Sequence, residues 1–232
     1  FITAFIIAYE NTSISVRNSY TSSKASVFKY TNNSEVGRVY REDRVEVPLY
    51  RVPLSFQRAI LAAEDSKFYS HSGINPLAIG QALFRNATSD TLQGGSTITQ
   101  QYAKTAFLTP ERSIQRKIKE LVIAIKLENQ FTKDEILENY LNTIYFGRGS
   151  YGVQTASQVY FGTTVDQLTT AQSAVLASIL RSPGLYDPGF KKENLPRLEK
   201  RFAYVIDGMV EANWLDAEKA KKIKFPVINP RV

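Results

Sequence analysis

Two adjacent carboxylates, Glu64 and Asp65, stand where an apolar helical segment gives way to an aromatic one. The preceding residues, 56–63, repeat apolar side chains at helical spacing, and Phe68 and Tyr69 follow shortly after the acids. A carboxylate between an apolar helix and aromatic rings is partly withdrawn from water, which suits it to accept a proton as a general base. The alternative interpretation is a solvated helix end whose acids have no chemical role.

Glycines and hydroxyl residues precede a second helical segment in the run Gly94-Gly-Ser-Thr-Ile-Thr-Gln-Gln101. The free N–H groups and the dipole of a helix N-terminus attract anions, and Lys104 lies further along the same helix. The run lacks the Gly-Lys-Ser/Thr of a nucleotide-binding P-loop, which excludes that kind of site. It predicts either an anion site or an ordinary capped helix after a flexible loop.

A third group of residues combines cations with one acid. Arg112, Arg116 and Glu120 recur at every fourth position, so they share one face of a helix. Lys117 is placed to pair with Glu120 on the same helix. This pattern is typical of a salt-bridged exposed face, and it also suits a surface that holds a phosphate group.

The composition limits the kinds of site that the chain can hold. Among its 232 residues there is no cysteine and a single histidine, His71, which excludes disulfides, cysteine-based zinc sites and His-rich metal sites. The net charge of +7 suits an anionic partner, either nucleic acid, an anionic membrane or a phosphorylated substrate. Nucleic acid is not expected, because acid interrupts the cations of the basic helix and no aromatic residues are interleaved with them.

Apolar periodicity predicts that the chain is mainly helical from Leu54 onward. The segment 174–180 is almost wholly apolar, so we expect a central helix that ends at Arg181. As a cation, Arg181 suits a helix C-terminus and is also placed to face a cleft. The predicted helices begin at Ser55, Asn75-Pro76, Gly94–Thr97, Thr109-Pro110, Thr132 and Thr169, and two more cover about 195–213 and 216–223.

The remaining stretches read as connections. Residues 11–53 are polar with short β-like runs, residues 86–93 predict a mobile loop, and residues 147–152 predict a turn. Asn139 and Asn142 are expected to be buried and hydrogen-bonded between helices.

The termini predict further domain boundaries. Residues 1–9 are apolar but fall short of the roughly 20 residues that span a bilayer. They fit either a first core helix or, as we favour, the end of a truncated transmembrane anchor, since a linker rich in Ser, Thr and Asn follows over 10–35. Residues 36–224 would then form one domain, and 225–232 begin a linker to a following domain.

Together these stretches resemble the peptidoglycan glycosyltransferase family, which comprises the glycosyltransferase domain of class A penicillin-binding proteins and the monofunctional transglycosylases. The resemblance covers about residues 36–215 and touches five motifs in the same order. Thr105 and the run 181–184 depart from the usual residues of that family. The motifs are Glu64-Asp-x-x-Phe-x-x-His-x-Gly73, Gly94-Gly-Ser-Thr-Ile-Thr-Gln-Gln-x-x-Lys104, Arg116-Lys-x-x-Glu120, Lys133-x-x-Ile-Leu-Glu-x-Tyr-Leu-Asn142 and the stretch 177–188.

The resemblance implies a lysozyme-like, two-lobed helical domain with a short extended N-terminal segment. It implies that lipid II is polymerised into glycan strands, with inversion at the donor anomeric carbon and release of undecaprenyl diphosphate. The expected location is the extracytoplasmic face of a bacterial cell membrane, held by a single N-terminal anchor. The expected partners are lipid II, the growing glycan chain, the cytoplasmic membrane and a moenomycin-type inhibitor.

The same resemblance assigns roles to residues. Glu64 is expected to be the general base, and Glu120 to orient the cations around the donor diphosphate. No cofactor is required. A divalent cation, Mg or Mn, at Glu120 is kept only as an alternative, because one carboxylate does not hold a metal tightly. The expected substrate-binding residues are Asp65, Phe68, His71, Ser96, Thr97, Gln100, Gln101, Lys104, Arg112, Arg116, Lys117 and Arg181.

Two other functions are compatible with parts of the sequence. A lysozyme-like hydrolase also uses carboxylates on helices, but it has no need of three cations beside its acid. A membrane-bound scaffold would use the basic helix to hold anionic lipid, but it would have no use for Glu64. Both therefore remain alternatives to the glycosyltransferase.

Overall fold

The structure is a computed structural model that describes residues 26–29, 35–39, 45–72, 96–108 and 113–231. Its longer elements are helical, which confirms the mainly α prediction. Within the described ranges no helix is both long and apolar enough to cross a bilayer. The helices are α1 Leu54–Glu64, α2 Ile98–Phe107, α3 Ile114–Gln130, α4 Lys133–Thr143, α5 Val153–Phe161, α6 Thr170–Leu180, α7 Pro183–Tyr186, α8 Leu195–Glu211 and α9 Ala217–Ala220.

Helix α6 lies at the centre of one group, packed against α1 and α8, which also pack against each other. Its residues from Ser173 to Leu180 are all buried, as its apolar sequence predicted. Ser173 and Ser178 are accommodated because each hydroxyl donates to a backbone carbonyl one turn earlier. A capping box of Thr169 and Gln172 supplies partners for the N–H groups at the start of α6.

A second group is built on α2, which packs against α3 and α4. Hydroxyl side chains begin each of these helices. Thr97 caps α2, Ser113 caps α3, and Thr132 forms a capping box with Glu135 at the start of α4. The start of α4 at Thr132 is the one that the sequence predicted.

Several predicted boundaries differ from the observed ones. Helix α1 begins at Leu54, and Ser55 lies inside its first turn without capping it, because the chain already enters the helix after Pro53. Helix α8 ends at Glu211, short of 213, because Asn213 adopts a left-handed conformation with φ of 57°. Thr109-Pro110, Asn75-Pro76 and the loop 86–93 lie outside the described residues, whereas the long basic helix begins at Ile114.

Short antiparallel strands accompany the helices. Strands β1 (Ser26–Lys29) and β2 (Glu35–Val39) pair with each other, and β3 (Tyr145–Gly147) pairs with β4 (Ser150–Tyr151) around the predicted turn. Gly152 follows this hairpin with φ of 79°, and a Cβ there would lie 2.8 Å from the carbonyl oxygen of Asn142. The turn therefore needs glycine at that position both for its conformation and for space.

A buried ion pair joins the β3–β4 turn to the segment after α7. The Nε and Nη2 atoms of Arg148 donate to the two carboxylate oxygens of Asp187 at 2.7 and 2.6 Å, and Nη1 donates to the carbonyl of Asn229 at 2.8 Å. The side chains of Arg148 and Asp187 are 3% and 0% exposed. Through its bond to Asn229, Arg148 also holds the C-terminal segment against the helical body.

Asn142 links α4 to the extended segment before α1. Its amide donates to the carbonyl of Val47 at 2.8 Å and accepts from the Val47 N–H at 2.9 Å, so its predicted burial is confirmed although its partner is not a helix. The prediction for Asn139 was wrong, because its amide turns back and donates to the Glu135 carbonyl of its own helix.

We expect Asn142→Ala to lower the free energy of unfolding by about 2–3 kcal/mol, because both backbone groups of Val47 lose their partner. Asn139→Ala is the matched control and should change that free energy by about 0.5 kcal/mol or less. Urea unfolding of the two variants measures the difference, and equal losses would contradict the structural role of Asn142.

Candidate active site

Glu64 is the last residue of α1, and its side chain is only 5% exposed. One carboxylate oxygen, Oε1, accepts a hydrogen bond from Nη2 of Arg201 at 3.0 Å. The other, Oε2, accepts from Nε2 of Gln101 at 2.9 Å. A buried charge needs such partners, and here both oxygens have one, so the carboxylate is held in a fixed orientation.

The orientation of the Gln101 amide is set by Tyr140, whose hydroxyl donates to Oε1 of Gln101 at 3.0 Å. Burial of the phenol, and then the nearby charges of Glu64 and Asp65, raise the pKa of Tyr140 well above its usual value. The phenol therefore stays protonated and remains a donor, which turns the NH2 group of Gln101 toward Glu64. A carboxylate has about four acceptor positions, so Glu64 keeps room for a further hydrogen bond from a substrate.

Asp65, the residue after Glu64, has different partners and joins the segment of His71 to the start of α2. Its carboxylate oxygens lie 2.9 and 3.0 Å from Nε2 of His71, and Oδ2 accepts from the Ile98 N–H at 3.1 Å. The second bond satisfies a backbone donor in the first turn of α2. Asp65 thus fixes the end of α1 against the start of α2, while its predicted substrate contact stays a prediction.

Phe68, which was also predicted to bind substrate, is completely buried. Its ring lies under the Lys133 ammonium, whose Nζ is 4.4 Å from the ring centre, and its edge faces the His71 ring. Lys133 also donates to Glu128 at 2.8 Å. The aromatic residue after the acids therefore supports the loop that carries His71.

A cationic group, Lys117 with the neighbouring Arg116, lies where α3 approaches the start of α2. Lys117 donates to Glu120 and, at 3.2 Å, to the hydroxyl of Ser96. Glu120 is only 2% exposed, whereas the Lys117 side chain is 46% exposed. The pairing of Lys117 with Glu120 is the one that the sequence predicted, and it leaves the ammonium open to solvent.

The other predicted site residues that the structure describes lie on α2, α3 and α6 or directly beside them. Arg116 is half-buried, and its Nε atom makes no hydrogen bond within the described ranges. Thr97 and Gln100 are buried at the start of α2, Lys104 is exposed further along α2, and Arg181 is half-buried at the end of α6. Arg112 lies outside the described residues.

Helix α2 connects the Glu64 carboxylate to the cationic group at Lys117. Its residue Gln101 binds Glu64, and Ser96, just before its first turn, binds Lys117. A proton acceptor and a cationic group therefore lie at one helix N-terminus, which itself favours negative charge. This arrangement suits a reaction that removes a proton at one point while an anion is held at another.

The arrangement fits a divalent metal poorly. Glu120 already faces the Lys117 ammonium, and the described part of the chain has no group of three or more His, Asp or Glu residues that could bind a metal ion. Hard divalent cations such as Mg and Mn need several oxygen ligands.

Arg201 and Tyr140 were not among the predicted site residues. Arg201 lies on α8 after the exposed basic residues Arg197 and Lys200, so its type and spacing give no signal. Tyr140 belongs to the fourth motif of the family resemblance, but no role in the site was predicted for it. Their contacts with Glu64 and Gln101 link residues far apart in the sequence, which spacing does not reveal.

Comparison with known proteins finds a match of residues 32–210 to the model of a family described as transglycosylase. The chain is 38% identical to penicillin-binding protein 1A of Mycobacterium tuberculosis, over 97% of this chain and 28% of that protein. It is 45% identical to penicillin-binding protein 1F of Bacillus subtilis, over 68% of this chain and 22% of that protein. The chain thus spans about a quarter of the length of the curated relatives that it matches.

A similar fold occurs in the crystal structure of penicillin-binding protein 1A from Haemophilus influenzae. The TM-score is 0.50 at 21% sequence identity, and the match covers 90% of this chain and 21% of that one. At this level of identity the likeness concerns the fold alone.

Proposed function

Because the chain belongs to the transglycosylase family, the peptidoglycan glycosyltransferase domain of class A penicillin-binding proteins, we propose that it polymerises lipid II into glycan strands. The observation that carries this proposal is the buried Glu64 carboxylate, fixed by Gln101 and Arg201 and joined through α2 to the cationic group at Lys117. A base beside a cationic group is what transfer from a diphosphate donor requires.

In the proposed reaction Glu64 takes the proton of the 4-hydroxyl of the acceptor sugar. The hydroxyl oxygen attacks the anomeric carbon of the lipid-linked donor from the face opposite the diphosphate, so the configuration at that carbon inverts. The bond between the anomeric carbon and the phosphate oxygen breaks, and its electron pair leaves with undecaprenyl diphosphate. The leaving group needs positive charge and no proton, because a diphosphate is already a stable anion.

Lys104, Arg116 and Lys117 supply that positive charge in our proposal. Glu120 orients Lys117, as their hydrogen bond supports. Arg116 is half-buried, and its buried Nε atom has no hydrogen-bond partner within the described ranges, which suits a role toward the diphosphate. The other predicted substrate-binding residues that contact sugars or phosphates in this proposal are Asp65, His71, Ser96, Thr97, Gln100, Gln101, Arg112 and Arg181. Phe68 is completely buried, so in this proposal it acts by supporting the loop that carries His71.

The substrate implies a location and partners. Lipid II is anchored in the cytoplasmic membrane and is used on its outer side, so we propose that this domain works at the extracytoplasmic face. The net charge of +7 favours approach to an anionic lipid surface. A moenomycin-type inhibitor, as an analogue of the donor, would occupy the donor part of the site.

Incubation with labelled lipid II tests the proposal directly. Polymerised glycan with release of undecaprenyl diphosphate is the expected result. Cleavage of preformed glycan without polymerisation would instead identify a hydrolase, and binding of lipid II without turnover would identify a scaffold. Repeating the assay in excess EDTA decides whether a divalent cation is needed, and we expect polymerisation to continue.

A further inference from the structure

We propose that Arg201, on α8, is the positioning residue for the carboxylate of Glu64. This inference rests on the proposed function, because it concerns the orientation of the proposed base. Arg201 lies outside every sequence motif that pointed to the site, and the helix that carries it follows the last of those motifs.

The contact between the two side chains is direct and largely withdrawn from water. Nη2 of Arg201 lies 3.0 Å from Oε1 of Glu64, with side chains that are 14% and 5% exposed. The same Nη2 donates to the Ala63 carbonyl at 3.2 Å, one of the carbonyls that the C-terminus of α1 leaves without a helical partner. One guanidinium thus binds both the backbone and the side chain at the end of α1.

Neighbouring rings restrict the guanidinium itself. Its central carbon lies 5.7 Å from the ring centre of Tyr186 and 5.5 Å from that of Tyr204, within the range of cation–π attraction. Tyr186 belongs to α7 and Tyr204 lies one turn after Arg201 on α8. The donor that meets Glu64 is therefore held in place before a substrate arrives.

Together with Gln101, Arg201 fixes the orientation of the Glu64 carboxylate. Gln101 holds one oxygen and Arg201 the other, so the carboxylate cannot rotate freely about its terminal bond. Loss of Arg201 would leave a nearly buried charge with one neutral partner, and the side chain would seek other orientations. A small displacement of a catalytic group lowers the rate steeply, because proton transfer requires hydrogen-bond distance to the acceptor hydroxyl.

The test compares Arg201→Gln and Arg201→Lys with Lys200→Gln, a matched control that removes the neighbouring, exposed charge of the same helix. For Arg201→Gln we expect kcat for lipid II polymerisation to fall about tenfold while KM stays within about twofold. Arg201→Lys should recover part of the rate, because an ammonium keeps the charge but loses the planar donor geometry. Lys200→Gln should match the parent enzyme.

Glu64→Gln separates this inference from the proposed function. We expect Arg201→Gln to cause no further loss in a Glu64→Gln background, because Arg201 acts through Glu64. A parent rate for Arg201→Gln, a tenfold rise in KM instead of a fall in kcat, or a full further loss in the Glu64→Gln background would each overturn the role of Arg201 alone. Parent activity of Glu64→Gln would overturn the proposed base itself.

Melting temperatures of all variants show whether each is folded. If Arg201→Gln does not fold, Arg201→Lys serves as the test instead. A lowered kcat of Arg201→Lys at an unchanged melting temperature would support the proposal. A parent kcat for folded Arg201→Lys, with Arg201→Gln unfolded, would mean that Arg201 serves stability and not the orientation of Glu64.

Discussion

Replacing Glu64 with Gln is expected to lower lipid II polymerisation by about 100-fold or more. Glutamine keeps the shape of the side chain and can still accept from Arg201 through its carbonyl oxygen, but it is not basic. The acceptor hydroxyl is a poor nucleophile until its proton leaves, whereas the donor diphosphate departs without one. Affinity for a moenomycin-type inhibitor should stay nearly unchanged, because the cations at Lys104, Arg116 and Lys117 remain.

Two further variants control this experiment. Glu211→Gln removes an exposed acid from α8 and should polymerise at the parent rate. Glu120→Gln should weaken both turnover and inhibitor binding, because the buried carboxylate orients Lys117. Turnover and inhibitor affinity are measured on all three. Polymerisation by Glu64→Gln at the parent rate would mean that the base is elsewhere.

The double variant Arg116→Gln with Lys117→Gln is expected to weaken binding of a moenomycin-type inhibitor by roughly 100-fold or more. Each charge-assisted hydrogen bond to a phosphate is worth about 1.5–3 kcal/mol, and about 1.4 kcal/mol corresponds to tenfold in affinity. The Lys117 side chain is 46% exposed, so its ammonium is available to a phosphate, whereas the half-buried Arg116 contributes its positive charge from the neighbouring position of α3.

Lys119→Gln is the control for this second experiment, because Lys119 is an exposed cation on the same helix. It should leave inhibitor affinity within about twofold of the parent value. Calorimetric titration measures the affinities, and circular dichroism shows whether α3 is intact. An unchanged affinity in the folded double variant would remove both residues from the proposed donor site.

Local signals in the sequence predicted the parts of the fold that depend on neighbouring residues. The capping boxes at Thr132 and Thr169 and the buried helix α6 follow from residue types within a few positions of each other. The pairing of Lys117 with Glu120 is local in the same sense. The start of α1 was missed because a hydroxyl at Ser55 resembles a cap, although the helix already begins after Pro53.

Contacts between distant segments could not be predicted in this way. Arg201 is one of several basic residues on α8, and only the packing of α8 against α1 brings it to Glu64. The Arg148–Asp187 pair was missed for the same reason, since each residue looks like an ordinary surface charge in the sequence. Side-chain chemistry identified the candidates for catalysis, while the residues that hold them depend on the tertiary fold.

Glu120 and Glu64 differ in how far their cationic partners, Lys117 and Arg201, are shielded from solvent. The two ion pairs should therefore respond differently to ionic strength. The Lys117 side chain is 46% exposed, whereas that of Arg201 is 14% exposed. Dissolved ions screen exposed charges over about 8–10 Å at 0.1–0.15 M salt, and they screen buried pairs far less. Added salt should therefore raise KM for the lipid-linked donor while leaving kcat nearly constant, so that substrate capture, and not the chemical step, becomes sensitive to the ions of the surrounding medium.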